Sequence, residues 1–158
     1  MDNRTTAMTG HQPHPGVPLD AMGEEAPALD IAELAKAIGA GLVEVVDPYD
    51  FKAMQDALRR ALEHDGVSVV VARRECALLT VSRKRRAGEP IRPFRVDPEK
   101  CTHCLSCINT YACPAFVDRG DVVEIDPALC FGCGSCVQVC PFGAIVPSEG
   151  AKPWLGGE

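Results

Sequence analysis

The chain has 158 residues, enough for one ordinary domain or two small ones, and its 46% hydrophobic content excludes a disordered polymer. A formal charge of −6 argues against general affinity for nucleic acid or an anionic membrane. The longest apolar stretch, residues 67–72, is far short of the roughly 20 residues a spanning helix needs, and the first residues hold no apolar signal segment, so a cytoplasmic protein is expected.

Residues 1–29 read as loop, since HQPHPGVP is too rich in proline and glycine for regular structure. Asp30 then predicts a helix N-cap, with Glu33 three residues on as in a capping box. Ile31, Leu34, Ala35 and Ile38 form one apolar face and Gly39 ends it. Residues 42–46 read as a short strand. Asp47-Pro48 predicts the cap and first residue of a second helix. Phe51, Met54, Ala57, Leu58, Ala61 and Leu62 give that helix its apolar stripe, and Gly66 stops it. Residues 67–72 are a β-branched run of the kind buried on both faces of a parallel sheet. Helix, strand, helix, strand is the tail of an α/β domain, because a buried parallel strand needs neighbours on both sides. A larger partner structure is therefore expected. Cys76 reads as a packed core thiol. Residues 77–95 are expected to be a basic linker. Their RKRR run is expected to face the acidic segment that follows rather than nucleic acid.

An internal repeat comes next. VDPEKCTHCLSC (96–107) matches IDPALCFGCGSC (125–136) at an offset of 29, and each copy ends in a further Cys-Pro, Cys113-Pro114 and Cys140-Pro141. Short strands are expected over 94–96 and 122–125, with a brief helix after each third cysteine. Three cysteines at this spacing wrap one turn of chain around a cubane cluster, and in two-cluster proteins the fourth cysteine of each run serves the other cluster. The expected ligands are Cys101, Cys104, Cys107 and Cys140 for one [4Fe–4S] cluster, and Cys130, Cys133, Cys136 and Cys113 for the second. The competing reading, paired zinc sites, needs neither a third cysteine nor Cys-Pro. One departure stands out. Five residues separate Cys107 from Cys113 where the second copy has three, which predicts a bulge and an altered environment for the cluster Cys113 serves. Gly132, Gly134 and Ser135 let backbone N–H groups approach sulfur. His103, inside the first loop, reads as an exposed spectator.

Three pieces together carry a family resemblance: DNRTTAMTGHQPHPG (2–16), VEVVDPYDFKAMQDALRRALEHDGVSVVVARREC (43–76) and the double cysteine motif. The chain resembles the C-terminal end of the alpha subunit of indolepyruvate:ferredoxin oxidoreductase, in the 2-oxoacid:ferredoxin oxidoreductase family. The resemblance implies an α/β fragment, residues 1–76, that is the C-terminal portion of a thiamine-diphosphate-binding domain. The basic linker, 77–95, follows. A small α+β ferredoxin-like domain with two [4Fe–4S] clusters occupies 96–147, and 148–158 form a tail. The implied reaction is oxidative decarboxylation of an aryl 2-oxoacid with coenzyme A, the electrons passing to external ferredoxin. The implied partners are the missing N-terminal part of the alpha subunit and a beta subunit.

The resemblance further implies that Asn3 supplies a side-chain oxygen, and Thr5 a backbone carbonyl, to the Mg²⁺ that holds the diphosphate. Taken alone, Asn3 reads as a turn residue. The family's Gly-Asp segment and the domain that activates the aminopyrimidine would both precede residue 1. The chain is thus expected to carry no catalytic residue and to be a fragment, a split gene product or a late-start reading frame. The competing function is a free-standing ferredoxin-type carrier with a docking domain at its front.

Overall fold

Two units make up the described residues, 1–154 of the computed structural model, one running through Thr80 and the other starting at Val81. In the first, helix α1 (Ile31–Ala37) leads to strand β1 (Leu42–Val46), helix α2 (Phe51–Glu63) and strand β2 (Ser68–Ala72). The strands pair in parallel, with Glu44 opposite Val70, and both helices pack on them. Ala32, Ala35, Ala57, Val46, Val71 and Ala72 are the buried apolar residues at these contacts. Small side chains let the helices lie close to the sheet.

The helix starts are built differently from the expected pattern. Asp30 does cap α1, accepting from the Ala32 and Glu33 N–H groups at 2.7 and 3.2 Å. Glu33, however, does not close a capping box and instead pairs with Lys36 at 2.7 Å. Asp50, not Asp47, caps α2, through the Ala53 N–H at 2.9 Å. Asp47 holds the turn before it by accepting from the Tyr49 N–H at 2.9 Å, and its other oxygen pairs with Arg74. That ion pair draws Asp47 away from the cap position. The expectation for β2 also needs correction. Ser68, Val69 and Val70 are only half-buried, and the outer edge of β2 carries just an isolated parallel bridge from Asp2 to Arg73 among the described residues. Asp2 itself is 2% exposed and pairs with Arg73 at 2.9 Å. The first residues, expected as plain loop, are thereby tied to the sheet.

The stretch 77–95 is not all linker, since Ala77–Arg86 forms helix α3, across which the division between the units falls. In the second unit β3 (Phe94–Val96) pairs antiparallel with β6 (Ile145–Pro147), and β4 (Phe116–Asp118) with β5 (Val123–Ile125). A π-helix, Cys107–Tyr111, and a 3₁₀-helix, Ser135–Val139, contain the third cysteine of each run, where a helix was expected only after it. Phe94, Cys136 and Ile145 form the buried centre, with Tyr111, Phe116 and Ile125 against it. The basic run does not simply face the acidic segment. Lys84 lies 5.6 Å over the Trp154 ring and 3.8 Å from Glu89, while Asp97, Asp118 and Glu124 pair with Lys100, His103 and Arg119. Part of the expected tail, residues 155–158, lies outside the described residues. Among the described residues no helix is long and apolar enough to cross a membrane.

Candidate functional site

The repeat in the sequence is a repeat in hydrogen bonding. Asp97 accepts the Glu99 N–H at 3.1 Å on its side chain and the Cys101 N–H at 3.1 Å on its carbonyl. Asp126 does the same for Ala128 at 2.8 Å and Cys130 at 3.0 Å. The Asp-Pro pair is thus a side-chain-closed turn that aims the first cysteine of each run. The Asp97 N–H bonds the Ala144 carbonyl at 2.7 Å, and the Asp126 N–H bonds the Ala115 carbonyl at 2.8 Å. Ala115 and Ala144 also stand 29 apart, although Cys113 and Cys140 do not. The two residues gained before Cys113 are offset by two fewer after it, so the insertion is confined to one loop. That loop is the π-helix, closed by the Ala112 N–H on the Cys107 carbonyl at 3.1 Å, with Ala112 left-handed at φ 55°.

Folding brings the cysteines into two sets drawn from both runs. Cys101, Cys104, Cys107 and Cys140 line one cavity, whose other walls include Val96, Val123 and Ile145. Cys113 lies with Cys130, Cys133 and Cys136, close enough for their charges to interact. Burial, then mutual repulsion within the set, pushes the Cys136 thiol up to about 12. Burial likewise raises Cys107 and Cys113. Cys104, which is exposed, is held low, first by the Ser106 backbone N–H. Without a cation these three raised thiols, Cys107, Cys113 and Cys136, favour the protonated form, whereas a bound cation reverses that preference and deprotonates them. The donor set fits an iron–sulfur cluster: soft sulfur ligands in fours, with N–H groups aimed at them. The Phe94 N–H donates to Cys130 Sγ at 3.5 Å and the Ala144 N–H to Cys140 Sγ at 3.3 Å. Gly132 and Gly134 have positive φ, and a Cβ on either would strike the Arg92 carbonyl or the Phe94 ring. The glycines serve close backbone packing as well as access to sulfur.

Two side chains that the sequence pattern did not single out as a pair sit beside the second set. The Tyr111 hydroxyl is 2.6 Å from Ser135 Oγ, which is 3.3 Å from Cys133 Sγ. Burial pushes the Tyr111 phenol up to about 12. One signal for Tyr111 was present in the sequence, since one of only two tyrosines falls in the inserted loop. His103 is no exposed spectator: its side chain is 26% exposed and its Nε2 lies 2.7 Å from Asp118, whose carboxyl it holds below the usual carboxylate range.

In the first unit, Asn3 lines a cavity of about 220 Å³ with Tyr49, Arg74, Glu75 and Cys76, beyond the carboxyl ends of the parallel strands. Crevices of this kind are where open α/β sheets bind ligands. Asn3 Oδ1 accepts the Thr5 N–H at 3.4 Å, and its carbonyl accepts the Cys76 N–H at 2.9 Å. Thr5 is 3% exposed, and its hydroxyl bonds the Gln12 carbonyl at 3.2 Å. Cys76 is half-buried beside His11 at 3.7 Å, not sealed in a core.

Comparison with known proteins follows the same division. Residues 1–72 match the family described as thiamine pyrophosphate enzyme, C-terminal TPP binding domain, and residues 98–116 and 123–146 each match a 4Fe-4S binding domain family. The chain is 50% identical over 152 residues to the indolepyruvate oxidoreductase subunit IorA of Methanothermobacter marburgensis, covering 96% of this chain and 24% of that protein. It is 48% identical to the subunit of the same name from Archaeoglobus fulgidus, over 94% of this chain and 24% of that one. Hydrogenase-4 component A of Escherichia coli is 41% identical over 58 residues, 35% of this chain and 28% of its own. The chain therefore spans about a quarter of the length of the curated relatives that it matches over most of its own length. No solved structure matches it.

Proposed function

We propose, from the premise that this chain is a relative of the C-terminal part of the indolepyruvate oxidoreductase subunits, that it forms the electron-transfer end of an aryl 2-oxoacid:ferredoxin oxidoreductase. The whole enzyme would oxidatively decarboxylate a 2-oxoacid such as indolepyruvate, pass the acyl group to coenzyme A and hand electrons to an external ferredoxin. The N-terminal remainder of the alpha subunit and a beta subunit would complete it, in the cytoplasm. The carrying observation is the crossing of the two cysteine runs, each set completed by the last cysteine of the other run.

In this reading Cys101, Cys104, Cys107 and Cys140 hold one [4Fe–4S] cluster, and Cys130, Cys133, Cys136 and Cys113 hold the other. Each cluster, when bound, takes up and gives back one electron at a time. The chain's part is to hold, shield and tune. Phe94 and Ile145, 2% and 3% exposed, keep water from the inner side of the site. The Phe94 and Ala144 N–H groups place positive dipole ends against sulfur.

Asn3 and Thr5 are proposed as the Mg²⁺ ligands of thiamine diphosphate in the whole enzyme. Asn3 lines the cavity at the sheet's carboxyl end, Thr5 does not, and the Asn3 side-chain oxygen, which accepts one bond from Thr5, has a second lone pair to give. The test is anaerobic purification followed by iron and sulfide analysis with electron paramagnetic resonance. About eight irons per chain are expected, with no decarboxylase activity from the chain alone. Material without acid-labile sulfide would overturn the reading.

A further inference from the structure

We propose that Tyr111 is a positioning residue that tunes one of the two clusters, through a directed hydrogen-bond chain from its phenol to Ser135 and on to Cys133. The inference rests on the cluster assignment above and goes beyond it by assigning a function to the inserted loop.

The direction of the chain follows from chemistry. A cysteine that ligates iron is a thiolate and has no proton to give. The contact between Ser135 Oγ and Cys133 Sγ at 3.3 Å must then be a donation by the serine hydroxyl. With its only proton spent, Ser135 Oγ can meet Tyr111 only as an acceptor, so the 2.6 Å contact is a donation by the phenol. Each link polarises the next, which strengthens the donor that reaches sulfur. Ser135 is 1% exposed, so no water competes for either link.

The repeat supplies an internal control. Ser106 occupies the equivalent place in the first run, with its Oγ 3.6 Å from Cys104 Sγ, but Ser106 is half-buried and Cys104 is exposed. The second run has only Val137, Gln138 and Val139 between its third and fourth cysteines, so it has no counterpart to the phenol. Tyr111 exists because the first run carries the insertion. The resulting π-helix ends on it and lays its ring edge-on against Phe116 at 6.5 Å, which aims the hydroxyl at Ser135. A π-turn at such a place is a frequent mark of a functional position.

A donor at sulfur stabilises the reduced cluster, which carries one more negative charge, over the oxidised one. Tyr111→Phe should therefore lower the reduction potential of the cluster bound by Cys133 and leave the other unchanged. Redox titration of the full chain, followed by electron paramagnetic resonance, reads both. The expected change is threefold to tenfold in that cluster's one-electron equilibrium, tenfold being about 59 mV. Ser135→Ala should shift the same cluster further, and adding Tyr111→Phe to it should do nothing more, because the two act in series. Ser106→Ala should have a smaller effect, confined to the other cluster. In unmutated protein moved into deuterium oxide, electron–nuclear double resonance should show exchangeable deuterons coupled to the second cluster, that of the Phe94 amide at Cys130 among them. Ser135→Ala should remove one and leave the rest. That loss tests the link to sulfur even if Tyr111→Phe fails to assemble. Two intact clusters with an unmoved potential, additive shifts, or no deuteron lost from Ser135→Ala would overturn the chain while sparing the cluster assignment. A wild-type chain without clusters would overturn both.

Discussion

Gly132→Ala gives the sharpest test of how the loop around the second cysteine set is held. Gly132 sits between Cys130 and Cys133 with φ +72°, and an added Cβ would fall on the Arg92 carbonyl oxygen, well inside the 3.0 Å limit of real contacts. The left-handed backbone costs a residue with a Cβ about 1–2 kcal/mol. Forcing the Arg92 backbone aside adds about 1–3 kcal/mol, as overpacking does. Gly120→Ala is the matched control, because Gly120 has φ +95° and nothing within 4 Å of the added atom. The difference between the variants isolates the clash. If opening the loop relieves it, that difference appears as about a fivefold to 150-fold faster loss of iron from Gly132→Ala. The assay is release of iron to a chelator under anaerobic conditions, timed by visible absorbance. Equal rates for the two variants would refute the claim that the glycine is required by the Arg92 contact.

Three other outcomes follow from the same structure. Cys140→Ala should remove the cluster at Cys101, Cys104 and Cys107 and spare the one at Cys130, taking iron from about eight to about four per chain; loss of the Cys130 cluster instead would contradict the crossing. Phe94→Ala should cost the second unit about 3–5 kcal/mol, since Phe94 is 2% exposed at the centre of that core, and chemical denaturation monitored by cluster absorbance would read it. Asp30→Asn should keep the cap of α1 but flatten the acid limb of the first unit's unfolding. The Arg73 side-chain hydrogen bond holds the Asp30 carboxyl below its ordinary value. A carboxylate so lowered stabilises the fold above its unfolded pKa of about 4 and loses that contribution as pH falls through the folded value. Denaturant unfolding followed by circular dichroism should show wild type the more stable from pH 6 down to about pH 4, with the gap to the variant closing below that.

Much of the architecture was legible because it is written in local patterns. The stripe from Phe51 to Leu62 has one face and one period, and it became α2. The Asp-Pro-x-x-Cys repeat predicted β3, β5 and the turns between them and the cysteines, because an aspartate that closes its own turn needs no distant partner. The misreadings share a cause. Asp47-Pro48 has the chemistry of a helix start, yet Arg74, 27 residues away, claims the Asp47 carboxylate and leaves Asp50 to cap α2. Glu33 could close a capping box, yet Lys36 lies on the same face and takes it. Residues 77–95 looked like linker because their charge hid a helix with Val81 buried. Each is a choice between two locally acceptable partners, and spacing alone does not rank them.

The sequence by itself determined which atoms are available for chemistry. Eight thiols in two matched runs, each ended by Cys-Pro, commit the second unit to soft-metal binding however the chain is folded. The crossed sharing of those thiols was already expected from the repeat, and only the tertiary structure decided what surrounds them. Antiparallel pairing of β3 with β6 brings Cys140 to the cavity of the first run, and the inserted π-helix brings Tyr111 to Ser135, 24 residues on. Cysteine spacing is a covalent property, whereas the surroundings of a sulfur depend on which distant strands and loops exclude water around it.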